Sequence, residues 1–148
     1  MITGSKELIR DINTKLVLDR IRHKGPISRA TISKQLGLTK ATITSIVQVL
    51  LDKDLVLEIG SDNTKKGRKP ILLQFNQGCG YVISLDLSAE FITLMTADLN
   101  GQNCSLKRIE NQAGRAKIIP VLGDLIENAM EKLPDCTYGV VGISLGIH

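Results

Sequence analysis

A run of short polar and cationic side chains at helical spacing is the part of this sequence best suited to contact a polyanion. The run begins after Leu38, and no acidic residue interrupts it before Asp52. Hydroxyl and amide groups can hydrogen-bond to phosphates or base edges, and a lysine can neutralise a phosphate. We therefore predict a helix that lies in the DNA major groove. Its candidate contacts are Thr39, Lys40, Thr42, Thr44, Ser45 and Gln48, with Arg29 upstream as a phosphate contact.

A second cationic stretch follows at residues 65–69, within the segment GSDNTKKGRK. Strand-length apolar blocks flank this segment at residues 55–59 and 70–75. Asp62 is the only acidic residue in the segment. A basic loop here can lie along phosphates or enter the minor groove. Taken alone, the same sequence pattern would also fit a basic loop that only faces solvent. Its position after the polar helix favours DNA contact. The residues concerned are Lys65, Lys66, Gly67, Arg68 and Lys69.

Local signals place the polar run on the second of two short helices. Ser28 is a suitable N-cap for the first helix, Gly37 a suitable C-cap, and Thr39 a second N-cap. The first of these helices would bury Ala30, Ile32 (or Ile27) and Leu36, and the second Ile43, Ile46, Val47, Leu50 and Leu51. Helix, turn, helix and two strands around a basic loop describe a winged helix-turn-helix over residues 1–76. A protein-binding helical hairpin with a polar face is the alternative.

An earlier apolar stripe predicts a longer helix at about residues 5–23. The stripe consists of Leu8, Ile9, Ile12, Leu16 and Ile21, with Val17 alongside. We expect this helix to pack on the two that follow. His23 lies near its C-terminal end, where a positive charge is favourable, and we assign it no chemistry.

The pattern changes after a hinge at residues 76–79 and predicts a second unit over residues 77–148. Strands are expected at 81–87, 91–99 and 102–109, with Asn100-Gly101 as a two-residue hairpin turn between the last two. A helix at about 116–132 and a strand at 138–145 complete a β-β-β-α-β order. The inward side of that helix would carry Ile118, Ile119, Leu122, Leu125, Ile126, Ala129 and Met130.

Charge and composition separate the two units. Residues 1–76 contain 14 Lys and Arg against 7 Asp and Glu, a balance of +7, whereas residues 77–148 contain 5 against 8, a balance of −3. A basic module followed by a slightly acidic one is typical of a DNA-binding domain joined to a sensor or assembly domain. No apolar run is long enough to span a bilayer, and the charged N-terminus is unlike a signal peptide, so we expect a cytoplasmic location without membrane association.

The three cysteines carry no recognisable site. Cys79, Cys104 and Cys136 are odd in number and widely spaced, and no CxxC occurs. We interpret them as partly buried thiols and predict neither a metal nor a cofactor.

Several segments together resemble the repressor branch of the ROK family of sugar-responsive repressors and sugar kinases. They are INTKLVLDRI, GPISRATISKQLGLTKATITSIVQVLLDKDLV, GRKPILLQFN, GYVISLDLS and YGVVGISLGI, which span nearly the whole chain. The resemblance implies an α/β protein whose second unit opens an actin-like, sugar-kinase-like domain. It also implies a repressor of sugar-utilisation genes that binds double-stranded operator DNA as a homodimer and releases it when a sugar binds.

The sequence departs from the family in ways that bear on catalysis. Kinases of the family carry an Asp-Gly-Gly-Thr turn, whose glycines let the backbone approach phosphates, but here the turn reads Asp86-Leu87-Ser88-Ala89-Glu90. We therefore expect Asp86 to be a structural acid at a strand end, and we predict no catalytic residue and no enzyme. A truncated kinase-like protein and a fragment without a sugar response are the alternatives.

The resemblance also sets expectations for the sugar and for assembly. The family's sugar-contacting residues and its Cys/His zinc motif lie beyond the residues present, so a sugar effector is expected only for full-length members. Val140, Val141, Ile143 and Leu145 would then form an open strand edge, which predicts self-association.

Overall fold

The computed structural model describes residues 4–60, 71–112 and 114–148 and divides into two compact units, Met1–Asn76 and Gln77–His148. Each unit combines helices with a small sheet, so the chain is a mixed α/β protein as expected. None of its described helices is both long enough and apolar enough to span a bilayer.

The first unit contains three helices and a three-stranded antiparallel sheet. Its elements are α1 (Gly4–Lys24), β1 (Ile27–Ser28), α2 (Arg29–Leu36), α3 (Lys40–Asp52), β2 (Val56–Gly60) and β3 (Ile71–Phe75). The strands lie in the order β1-β3-β2, and the sequence did not predict the two-residue β1. Buried side chains from all three helices and from β3 form one core, with Ile21, Ile32, Ile43 and Leu73 fully buried. Ile27 is buried too, whereas the predicted Ala30 is exposed.

The packing predicted for α1 is wrong over its N-terminal half. Leu8, Ile9, Ile12 and Leu16 are between 48% and 60% exposed, and only Val17 and Ile21 of the stripe are buried. The helix has 21 residues, while α2 and α3 have 8 and 13. At 1.5 Å per residue the shorter helices cannot cover its full length, so only its C-terminal half reaches the core.

The second unit is a four-stranded sheet with one helix packed on it. After a 3₁₀ turn at Gln77–Cys79, its elements are β4 (Tyr81–Leu87), β5 (Phe91–Asp98), β6 (Ser105–Glu110), α4 (Gly114–Met130) and β7 (Val140–Ile147). The strand order is β6-β5-β4-β7, with β7 parallel to β4 and the other pairs antiparallel. The order β-β-β-α-β along the chain is confirmed.

The connection between β5 and β6 is longer than the predicted two-residue turn. The Asp98 carboxylate accepts hydrogen bonds from the backbone N–H groups of Asn100 and Gln102 and from Nδ2 of Asn103. These bonds hold residues 99–104 in a loop, so β6 begins at Ser105 instead of residue 102.

Helix α4 buries most, but not all, of its predicted apolar side. Ile118, Leu122, Leu125, Ile126 and Ala129 pack against Ile83, Leu85, Ile92 and Leu94 of the sheet. Ile119 and Met130 were predicted to point inward but are 73% and 48% exposed. At 3.6 residues per turn both lie roughly 100–120° around the helix from Ile118, beyond the strip that faces the sheet.

Candidate nucleic-acid interface

The turn between α2 and α3 is fixed by short-range hydrogen bonds. Gly37 adopts a left-handed conformation with φ of 66°, which a residue with a side chain adopts only with strain. The Ser33 hydroxyl donates to the carbonyl of Leu38 at 2.7 Å, and Oγ1 of Thr39 accepts from the backbone N–H of Thr42 at 3.1 Å. These contacts set the direction in which α3 leaves the turn.

Helix α3 presents one buried and one exposed face. Ile43, Ile46, Val47 and Leu50 are buried in the core of the first unit. The structure brings four of the predicted contact residues together on the opposite side, where each is exposed: Lys40, Thr44, Ser45 and Gln48. Thr42 is half-buried at the edge of this face, and Thr39 is exposed at the cap.

Several of the polar groups on this face already have intramolecular partners. The hydroxyl of Thr44 donates to the Lys40 carbonyl at 2.9 Å, and the hydroxyls of Thr39 and Thr42 lie 2.9 Å apart. Among the residues that the structure describes, the Ser45 hydroxyl has no partner. Lys40 and Ser45 therefore have the most freedom to bind a ligand without breaking an internal bond.

Two residues near this face were not predicted as part of the site. Ala41 is exposed close to the middle of the polar face, where its small side chain leaves room for a ligand to approach the helix closely. Asp52 accepts a hydrogen bond at 2.8 Å from Nε2 of Gln48, one helical turn earlier. The spacing of four residues was the available signal for that pair, since such side chains are neighbours on a helix.

Arg29 is the first residue of α2 and is paired across the unit. Its guanidinium donates to Oε1 of Glu58 on β2, with side chains 28% and 39% exposed. The ion pair ties the start of α2 to the strand that leads into the predicted wing.

The candidate wing residues Lys65, Lys66, Gly67, Arg68 and Lys69 lie outside the described residues. The strands that flank them are paired up to Gly60 and Ile71.

The turn after β4 in the second unit is closed by its own hydrogen bonds. Oγ of Ser88 accepts from the backbone N–H of Phe91 at 3.0 Å, and Nδ2 of Asn111 donates to the Ser88 carbonyl. Asp86 is exposed and lies 2.7 Å from Nε2 of His148.

No cluster of three or more His, Cys, Asp or Glu that could hold a metal occurs within residues 4–60, 71–112 and 114–148.

The cysteines differ from one another in exposure. Cys79 is buried and Cys136 is half-buried, but Cys104 is exposed, which corrects its interpretation as a partly buried thiol. None of the three forms a disulfide bond.

Comparison with known proteins gives relatives along nearly the whole chain. The chain is 32% identical to the xylose repressor of Bacillus spizizenii, over 98% of this chain and 38% of the relative. It is 42% identical to the xylose repressor of Staphylococcus xylosus, over 92% of this chain and 36% of the relative. The chain thus spans a little over a third of the length of these relatives. No family model matches it.

More distant relatives are also transcriptional regulators. The transcriptional dual regulator NagC of Escherichia coli is 27% identical over 67% of this chain and 24% of its own length. A crystal structure of a ROK family transcriptional regulator, a homologue of the E. coli MLC protein, superimposes with a TM-score of 0.66. That match has 27% identity and covers 94% of this chain and 36% of that chain. The chain therefore belongs to the ROK family of transcriptional regulators, and it spans the equivalent of about a third of those proteins.

Proposed function

We propose that the first unit is a winged helix-turn-helix that binds double-stranded operator DNA, with α3 in the major groove. The observation that carries this proposal is the exposed face of α3. It gathers a lysine, two hydroxyls and an amide and has no acidic residue before Asp52 at its end. A helix that only needed solubility would normally mix acids with bases, whereas one between phosphate backbones avoids acids.

The charge distribution supports the same conclusion. The excess of seven positive charges lies in residues 1–76, while the rest of the chain is slightly acidic. On this proposal Lys40, Arg29 and the wing residues Lys65, Lys66, Arg68 and Lys69 contact phosphates, with Gly67 allowing close approach. Thr39, Thr42, Thr44, Ser45 and Gln48 then contact phosphates or base edges. Phosphate contacts orient the domain, and base contacts supply sequence preference.

We further propose that the chain acts in a sugar-responsive transcriptional repressor and is not an enzyme. Its relatives from Bacillus spizizenii and Staphylococcus xylosus are named xylose repressors, so genes of xylose utilisation are the proposed target. The second unit would be the beginning of the actin-like domain of the ROK family. Operator release by the sugar, and homodimerisation on a palindrome with half-sites about one DNA turn apart, are proposed for full-length members of the family.

The direct test is a fluorescence-anisotropy titration of the chain against a palindromic fragment from upstream of a xylose operon. A scrambled duplex, a series of salt concentrations, and the presence or absence of xylose complete the design. We expect sequence-selective binding that weakens steeply with salt, by about 0.9 in the log–log slope for each phosphate contact. Binding that does not distinguish the two duplexes would contradict operator recognition.

Two variants and one control assign the contacts. Gln48→Ala should weaken operator binding about tenfold while leaving scrambled DNA unaffected, since it removes a base contact. Lys40→Gln should weaken binding to both the operator and the scrambled duplex and reduce the salt slope by about 1. Lys117→Gln, an exposed lysine on α4, is the matched control and should change neither. Sugar phosphorylation or ATP hydrolysis by the chain would instead support a kinase-like protein.

A further inference from the structure

A cavity of about 440 Å³ lies in the second unit, between the sheet and the C-terminal half of α4. This volume is within the range of sites for small molecules. Its polar lining comes from β5, β6, α4, the loop before β6 and the turn after α4: Thr96, Asn103, Ser105, Lys107, Asn128 and Lys132.

The register of the sheet explains why the cavity is there. Ile92 pairs with Ile109, and both pack under α4. Further along the same face, Leu94 pairs with Lys107 and Thr96 pairs with Ser105, so the row changes from apolar to polar. Ala129 on α4 is too small to fill the space opposite. Thr96 is buried at the base of the space, whereas Ser105 and Lys107 are exposed at its mouth. An apolar pocket with a few polar groups at its mouth is typical of a small-molecule site.

The hydrogen bonds around the cavity determine which ligand groups it can satisfy. Nδ2 of Asn103 donates to Oδ2 of Asp98 at 2.9 Å, and Nδ2 of Asn128 donates to the Asp124 carbonyl at 2.6 Å. Each amide thus leaves its oxygen as an acceptor for a hydroxyl group. Asp98 is itself 1% exposed and held by two backbone N–H groups, so Asn103 is firmly positioned.

The two lysines supply the charge. Within the described residues neither Lys107 nor Lys132 forms an ion pair, so both ammonium groups are available to an anion. The apolar part of the lining, which includes Leu94, Leu125 and Leu133, can pack against a carbon skeleton. Acceptors for hydroxyls, donors for an anion and an apolar surface occur together here.

We propose that this cavity binds a small organic anion that carries hydroxyl groups, of the class of phosphorylated polyols. The site is separate from the Asp86 turn, because Tyr81 in its lining lies at the opposite end of β4, roughly 17 Å away at 3.3 Å per residue. The proposal is independent of DNA binding by the first unit.

The test is a titration of the ¹⁵N-labelled chain with glycerol 3-phosphate, glycerol and inorganic phosphate, followed by amide chemical shifts. We expect saturable shifts at Thr96, Asn103 and Ser105 with glycerol 3-phosphate, and at least about tenfold weaker binding of the other two probes. Lys107→Gln and Lys132→Gln should each weaken binding about tenfold, as loss of a charge-assisted contact requires. Lys117→Gln, outside the cavity, should change it less than about twofold.

A variant that alters shape without charge provides an independent check. Ala129→Leu places a larger side chain in the cavity and should abolish binding while the spectrum keeps its dispersion. The proposal is overturned if glycerol 3-phosphate causes no saturable shift, or if binding survives Ala129→Leu and both lysine variants. Equal binding of inorganic phosphate would overturn the role assigned to the ligand's hydroxyl groups.

Discussion

Nε2 of Gln48 lies 2.8 Å from Oδ1 of Asp52, so the amide at the centre of the polar face of α3 is held by the first carboxylate after that face. The two side chains are exposed and four residues apart, on the same side of the helix. The contact orients Gln48 and at the same time places a negative charge beside the proposed DNA surface.

Asp52→Asn should therefore strengthen DNA binding. The change removes repulsion of phosphates and keeps an amide oxygen that can accept from Gln48. We expect affinity for any duplex to rise about threefold at low salt, with the gain shrinking as salt screens the charge. Anisotropy titrations at two salt concentrations measure this, with Asp11→Asn on α1 as a control. Weaker binding of Asp52→Asn would mean that the carboxylate is needed to hold Gln48.

Arg29→Gln should reduce DNA affinity with little loss of stability. The ion pair with Glu58 is partly exposed, and such pairs contribute about 0–1 kcal/mol to the free energy of unfolding. If Arg29 holds a phosphate, its loss should lower affinity for all duplexes and reduce the salt slope by about 1. Chemical denaturation of the same variant measures its stability.

Glu58→Gln is the matched control for Arg29. It removes the negative charge of the pair but leaves the guanidinium in place, so DNA affinity should be retained or increased. Equal losses of affinity in both variants would show that the pair supports the fold of the unit and that Arg29 contacts no phosphate.

Local signals in the sequence were sufficient to predict the helices that carry the proposed site. Ser28, Gly37 and Thr39 cap α2 and α3 as predicted, because a cap depends only on residues within one turn. The alternation of Ile43, Ile46, Val47 and Leu50 with polar residues likewise fixed which side of α3 is buried. The Arg29–Glu58 pair could not be predicted, since its partners are 29 residues apart and meet only in the folded unit.

Packing between elements was harder to predict than the elements themselves. The stripe on α1 has helical periodicity throughout, yet periodicity does not reveal how far the neighbouring helices extend. Leu8 and Ile12 are therefore exposed although Ile21 is buried. The loop after β5 differs from the prediction for a local reason. The Asp98 carboxylate accepts from donors two to five residues later, and this Asx-type arrangement replaces the two-residue turn expected at Asn100-Gly101.

Thr39→Ala should destabilise the first unit through loss of the α3 cap. The Thr39 hydroxyl oxygen satisfies the N–H of Thr42, and replacement of an N-cap threonine costs about 1 kcal/mol. Thr44→Ala is the control on the same helix, because its hydroxyl bonds only to the carbonyl of its own helix and alanine favours helix. We expect urea denaturation to show a clear loss for Thr39→Ala and a change below about 0.5 kcal/mol for Thr44→Ala. Equal losses would contradict the capping role.

Strand β7 should mediate self-association of the chain. It pairs with β4 along one edge, its other edge is unpaired within the described residues, and Ile143, Leu145 and Ile147 are between 47% and 71% exposed. An exposed apolar edge strand favours pairing with another chain, and charged residues on such a strand oppose it. We expect sedimentation velocity to show concentration-dependent oligomers that the double variant Ile143→Lys/Ile147→Lys reduces to monomers. Ile119→Lys, at an exposed isoleucine on α4, should leave them unchanged, and a wild-type chain that stays monomeric at high concentration would contradict the prediction.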